Sequence, residues 1–308
     1  MARGMERMDF IKLLGLGGIA FASGLKGFAG MVAEPSQRDF YFVQLSDTHW
    51  GFKGPDLNPD AAGTLEKAVA AVNGLDRKPD FVMFTGDLTH TTDDPAERRA
   101  RMAQFKTIAG GLKVRQVRFI PGEHDASLDQ GAAYREYFGE PTYAFEHKGI
   151  HFIALDNVSA PGSTLGPAQL AWLADDLRGL KPETPVVVFA HRPLFSLYED
   201  WDWFTADGDQ AIALLAAHPN VTVFYGHIHQ EHHQTTGAIT HHAAKSLIFP
   251  LPAPGSAPKR APIPWNPARP YGGLGLREVD VRSWAAGASA APGAQELITE
   301  YPVPVRRG

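Results

Sequence analysis

The sequence predicts an α/β fold, and three observations carry that prediction. Short runs rich in β-branched and aromatic residues alternate with longer stretches of helical apolar spacing, the pattern of β-α-β units. Some of the runs, such as Val186-Val187-Val188-Phe189-Ala190, are uninterruptedly apolar, as strands buried on both faces are. Polar residues collect where the runs stop, which is where α/β sheets gather their sites.

Phe40-Tyr41-Phe42-Val43-Gln44-Leu45 is the first strand, and it delivers Asp47 and His49 at its carboxyl end. From Asn58 to Leu75, Ala62, Leu65, Ala68, Val69 and Val72 recur at helical spacing, and Pro79-Asp80 leads into the strand Phe81-Val82-Met83-Phe84. A charged helix across Pro95 to Leu112 and a strand Val117-Arg118-Phe119-Ile120 repeat the unit and end in Pro121-Gly122-Glu123-His124-Asp125. Tyr143 to His147, the turn Lys148-Gly149 and Ile150 to Leu155 read as a hairpin closed by Asp156-Asn157. A helix spans Gly166 to Leu180; the run Val186 to Ala190 ends in His191. Past a helix from Asp209 to Ala217, the run Val221 to Tyr225 ends in Gly226-His227. Residues Pro250 to Pro270 are Pro-rich and read as an ordered loop or cover, before a last strand from Leu276 to Val281.

Five segments therefore place acids and histidines just after buried runs: Ser46-Asp47-Thr48-His49, Gly86-Asp87, Gly122-Glu123-His124-Asp125, His191 and Gly226-His227-Ile228-His229. Any one of them occurs by chance in many proteins, but their order and shared context point to a binuclear metal site. Imidazole nitrogen and carboxylate oxygen suit borderline divalent metals, and two ions about 3.5–4 Å apart need a shared ligand to offset their repulsion. Asp47 and His49 lie on one side of an extended segment because side chains alternate, and so do His227 and His229. Glycine at Gly86, Gly122 and Gly226 permits the tight turns that aim the next side chain into a common pocket. His151 is assigned to a strand face. His232, His233, His241 and His242 are assigned to surface or supporting positions.

Composition narrows the partners. The 308 residues carry a net charge of −5 with basic residues scattered, so no Lys/Arg stripe marks a nucleic-acid surface. Cysteine is absent, so any metal must sit on nitrogen and oxygen. Arg3, Arg7 and Lys12 flank the entry to an apolar, Gly/Ala-rich stretch from Leu13 to Ala33, and the following residues are polar, the architecture of an export signal over residues 1–33. Arg7-Met8-Asp9-Phe10-Ile11-Lys12 is similar to the twin-arginine export box, with Met8 in place of the second arginine. An exported, periplasmic protein without a membrane span after signal removal is the expectation; a membrane-anchoring helix is the alternative, disfavoured by the shortness and glycines of the stretch.

The ordered segments from Phe40 to Pro250 resemble the calcineurin-like metallophosphoesterases, whose motif series runs D-x-H, G-D, G-N-H-D, H, G-H-x-H. The resemblance implies a four-layer α/β/β/α sandwich with two mixed β-sheets, formed here by residues 38–308 with residues 250–270 as the cover. It implies that Asp47, His49, Asp87 and His229 hold the first metal, and that Asp87 bridges to a second completed by Glu123, His191 and His227. His124 is then the proton donor or charge stabiliser beside the leaving group, with Asp125 orienting its ring. The cofactors implied are two ions, iron, manganese or zinc. The implied reaction is in-line attack of a metal-bridging hydroxide on a small-molecule phosphate ester, by a phosphodiesterase or broad-specificity phosphatase. A protein Ser/Thr phosphatase is the alternative within the enzyme class, and a non-catalytic metal-binding scaffold the alternative outside it.

Two departures matter. The family's asparagine is Glu123 here, so an amide able to donate to phosphate becomes an acceptor-only carboxylate. Where the purple acid phosphatases place a tyrosine, three residues after the G-D aspartate, this chain has His90. Substrate contacts are thinly marked. Trp201 and Trp203, in the aromatic and acidic segment after His191, are candidates for stacking on a nucleobase or apolar leaving group, or for packing alone.

Overall fold

The protein is described from a computed structural model covering residues 40–281. The export-like segment lies outside the described residues. Among the described residues, no helix is long and apolar enough to cross a membrane.

Two mixed sheets form the centre. In the first, β1 (Phe40–Leu45), β2 (Phe81–Thr85) and β3 (Val117–Ile120) run parallel, and β10 (Arg277–Val281) joins the free edge of β1 antiparallel. In the second, the order is β4 (Tyr143–His147), β5 (Ile150–Ala154), β6 (Val186–Phe189), β7 (Val221–Tyr225), β9 (Ile239–Ala243), β8 (His232–Thr236), with β5, β6, β7 and β9 parallel and the outer two antiparallel.

Strand alternation explains why the sheets stack. In β1, Phe40 and Phe42 face the other sheet, while Tyr41, Val43 and Leu45 face helices. β6 does the same with Val187 and Phe189 inward and Val186 and Val188 outward. Phe42 stacks on Phe81 with ring centroids 4.9 Å apart and meets Phe189 and Phe224 of the other sheet edge-on at 5.7 and 5.4 Å. The outer face of the first sheet is covered by α1 (Ala61–Asn73), α2 (Pro95–Ala109) and α4 (Ala132–Phe138), and that of the second by α5 (Gly166–Arg178) and α6 (Gly208–Leu215). This is the four-layer α/β/β/α sandwich.

The structure corrects the expected elements in three places. A one-turn helix, α3 (Glu123–Ala126), begins at the predicted ligand turn itself. α4 follows it within residues that showed no helical period. Residues 232–243 form the β8–β9 hairpin, whose His-His-Gln-Thr-Thr strand lacks the apolar alternation that marks an amphipathic strand.

Candidate metal centre

The five motif segments leave their strands on the same end of the sandwich and are laced together by backbone. The Asp47 N–H donates to the Gly86 carbonyl (3.0 Å), His49 N–H to the Asp87 carbonyl (2.8 Å), and Gly226 N–H to the His191 carbonyl (2.9 Å). Asp47, His49, Asp87, His227 and His229 all sit at positive φ, from 43° to 66°. That conformation is uncommon for residues with a Cβ and costs roughly 1–3 kcal/mol each, so five together mark a site held against local preference. Two glycines let the loops close: a Cβ on Gly122 would lie 2.1 Å from Asp87 Oδ1, and one on Gly226 would lie 2.0 Å from Ser46 Oγ.

The predicted ligands fall into two groups. Asp47, His49, Asp87 and His229 bring ligand atoms within 4.8 Å of one another, and Glu123, His191 and His227 do the same. Asp87 stands between them, its Oδ2 3.4 Å from His49 Nε2 and 3.5 Å from His191 Nε2. Glu123 reaches both histidines of its group, 2.9 Å from His191 Nε2 and 2.9 Å from His227 Nδ1.

The ring nitrogens turned away from this centre are each engaged. His191 Nδ1 donates to the Thr85 carbonyl (2.7 Å), His229 Nδ1 to the Phe249 carbonyl (2.8 Å) and His227 Nε2 to the Asp202 carbonyl (3.2 Å). His49 Nδ1 instead meets His90 Nδ1 at 3.2 Å. Carbonyl acceptors fix the tautomer that leaves the opposite nitrogen unprotonated and inward, the arrangement found around metal-binding histidines. His191 Nε2 is buried without a hydrogen-bond partner, although Glu123 lies close by. An orphaned inward nitrogen beside carboxylates fits a cation. The residues present therefore suit two metal ions.

Without metal, the charges lean on one another. Burial and the nearby Glu123 both work to raise the Asp87 pKa, but His191, His124 and His49 outweigh them and hold it well below the usual carboxylate range. Burial likewise opposes ionisation of Glu123, yet His227 and His191 keep it ionised well below its ordinary value. Burial works to lower His191, but Asp87 and Glu123 hold it well above the ordinary imidazole value. Burial dominates at His49 and His227, which are lowered. Arg192 Nε lies 3.8 Å from Glu123, and its guanidinium forks onto Asp202 at 2.7 Å, so the added carboxylate has a fixed cation behind it.

His124 sits at the mouth, edge-on to His49 with ring centroids 4.5 Å apart and stacked on His90 at 4.9 Å. Its main-chain N–H donates to Asp87 Oδ1 (2.9 Å). The expected Asp125–His124 contact is corrected: Asp125 accepts from the N–H groups of Leu88 (2.9 Å), Thr89 (2.8 Å) and Gly122 (3.0 Å) and from Thr89 Oγ1 (2.9 Å). It clasps the Asp87 loop to the Glu123 loop. Burial and the Asp87 charge push its pKa up to about 6 against these donors. The ring is held by Thr91, whose N–H (3.2 Å) and Oγ1 (2.7 Å) reach His124 Nδ1. An N–H aimed at Nδ1 leaves the ring proton on Nε2.

Trp201 and Trp203 are not free to stack on a ligand. Both are buried with Tyr225, Ile248 and Phe249, and their rings meet edge-on at 5.0 Å. His241 is fully buried, not at the surface, and His232, His233 and His242 lie on the same hairpin and belong to neither ligand group. His151 is buried between Glu146 and Asp176. Four contributors escaped the sequence reading: Thr91, Asn157, Asp202 and Arg260. Asn157, which the sequence marked only as a strand end, accepts from the N–H groups of His191 (3.2 Å) and Arg192 (3.3 Å).

A sandwich of this kind, with histidines and carboxylates paired around a shared aspartate at the strand ends, defines the class of binuclear-metal hydrolases. The family model for the calcineurin-like phosphoesterases matches residues 40–231, and the chain belongs to that family. The chain is 31% identical over 163 residues to the "Probable glycerophosphodiester phosphodiesterase GpdQ" of Arcobacter nitrofigilis, spanning 49% of this chain and 56%, less than two thirds, of that relative. It is 29% identical over 218 residues to the mouse serine/threonine-protein phosphatase CPPED1, spanning 62% of this chain and 70% of that one. Its fold is similar to that of a dimetal phosphatase from Danio rerio, with a TM-score of 0.55, 15% identity and coverage of 80% of this chain and 93% of the other.

Proposed function

We propose that this protein is a metal-dependent phosphoesterase whose preferred substrates are small-molecule phosphodiesters. The observation that carries the reading is Glu123: it joins His191 and His227 at the second ligand group, where it adds a charge and removes a donor. The three carboxylates Asp47, Asp87 and Glu123 nearly offset two dications. A site so balanced favours a monoanionic diester over a dianionic monoester.

Two cations held by these residues would supply a hydroxide near neutral pH and neutralise phosphate oxygens. The chain's own groups do the rest. Asp87 keeps the two ligand groups in register, and its second oxygen takes the His124 N–H, so ligand and acid move as one unit. Thr91 leaves an N–H on His124 Nε2, which can donate a hydrogen bond to the leaving oxygen and stabilise its developing charge. His90 packs flat on His124 and limits its rotation.

The test is the ratio of diester to monoester hydrolysis on chromogenic substrates, in the native protein and in Glu123→Asn. The ratio is expected to fall in the variant; an unchanged or higher ratio contradicts the reading. The relative named as a serine/threonine-protein phosphatase supports a second reading, which a phosphopeptide in the same assay addresses. We also propose export through residues 1–33, checked by fractionation of the expressing cell and sequencing of the mature N-terminus.

A further inference from the structure

The cavity over the ligand groups has a volume of about 140 Å³, and one wall comes from the Pro-rich segment, through Leu251, Arg260 and Pro262. Among the residues lining it, Arg260 alone carries a permanent positive charge. We propose that Arg260 is a substrate-binding residue that grips a non-bridging oxygen of the phosphate, the role Glu123 has given up. This rests on the phosphoesterase reading above and specifies how that site holds its anion.

Arg260 Nη1 donates to the Trp201 carbonyl (2.8 Å) and lies 3.5 Å from His227 Nε2. The second contact is not what holds it there. His227 Nε2 faces the Asp202 carbonyl at 3.2 Å, and since a carbonyl only accepts, Nε2 carries a proton and donates there. Two donors face each other, and a guanidinium on one carbonyl is left with unspent N–H groups at the cavity mouth. A planar fork of donors matches two oxygens of a phosphate, and such charge-assisted bonds are about twice as strong as neutral ones.

The neighbouring arginine shows the contrast. Arg192 is buried, and its fork is filled by the Asp202 carboxylate and carbonyl, each at 2.7 Å, so it is committed to structure. Arg260 is exposed, anchored at one end and unfilled at the other. The buried Trp201 marks the anchor: its indole packs in the core while its carbonyl holds Arg260, so the aromatic segment acts on substrate through backbone.

The experiment is calorimetric titration of inorganic phosphate into manganese-loaded native, Arg260→Met and Arg260→Lys proteins, with metal content measured on each and both ester classes assayed in parallel. Arg260→Met is expected to keep its metal and lose phosphate affinity by about 10- to 100-fold, the range for a charge-assisted hydrogen bond to an anion. Arg260→Lys should fall between, keeping charge without the fork. In the assays KM should rise more than kcat falls. If the native protein hydrolyses esters but Arg260→Met binds phosphate within twofold of native, the Arg260 assignment fails and the phosphoesterase reading stands. If the native protein binds no phosphate and hydrolyses neither ester, both fail.

Discussion

Among the described residues two regions are rich in histidine, and one of them gathers its ligand atoms into groups that suit a metal ion. At the strand ends, His49, His191, His227 and His229 each have a carboxylate oxygen at 2.9 to 3.4 Å. On the β8–β9 hairpin, His233 meets His242 at 2.7 Å and Glu231 at 3.2 Å, while His241 is buried with both ring nitrogens unpartnered. The difference lies in the backbone. The site histidines hang from turns, three of them at positive φ, that converge on carboxylates from other loops. The hairpin histidines hang from a regular ladder, which sets His233 and His242 together on one face and turns His241 to the other. Histidine count therefore says little; what decides is which carboxylates the neighbouring strands deliver.

Chemistry separates the regions most sharply. His124→Ala should retain metal and lose about 10²- to 10⁴-fold in kcat, the usual worth of a positioned acid, whereas substitution at His241 should leave kcat intact. Elemental analysis beside steady-state kinetics checks both; loss of metal from His124→Ala would move that residue into the ligand set.

The smaller expected effect is on acid stability and belongs to the hairpin. Burial lowers His241 to about 4 and His242 to about 3. Both are neutral when folded, while the unfolded chain takes up protons below about 6.5, so they stabilise the fold above that pH and lose the contribution as pH falls toward 4 and 3. For fully buried His241 the shift corresponds to about 3 kcal/mol. Denaturant midpoints between pH 7 and pH 4 should fall less steeply for His241→Gln than for the native protein; equal slopes would contradict the assignment.

The ligands were legible in the sequence because each stands directly after an apolar run, and strand order brings such ends together whatever the details of the loops. The sandwich was legible for the same reason, as Phe42 and Val187 show by alternating with helix-facing neighbours. Contacts that depend on how a loop turns were not. Asp125 looked adjacent to His124, but one turn of α3 swings it toward Leu88 and Thr89, and Thr91, 33 residues from His124, takes the ring. Arg260 lies in a segment without periodicity, and only the folded path of residues 250–270 brings it to the cavity. Trp201 and Trp203 had the right residue type for stacking, and burial decided against it.

The central claim is that the strand ends form one two-ion site sharing Asp87, and that the hairpin holds none. Mass-spectrometric metal counting on protein loaded with manganese tests it most directly, in the native chain, in Asp87→Ala and in the double variant His233→Gln/His242→Gln. The native and double-variant proteins should hold two ions per chain, and Asp87→Ala fewer than one. Two ions retained by Asp87→Ala, or an ion lost with the hairpin histidines, would contradict it.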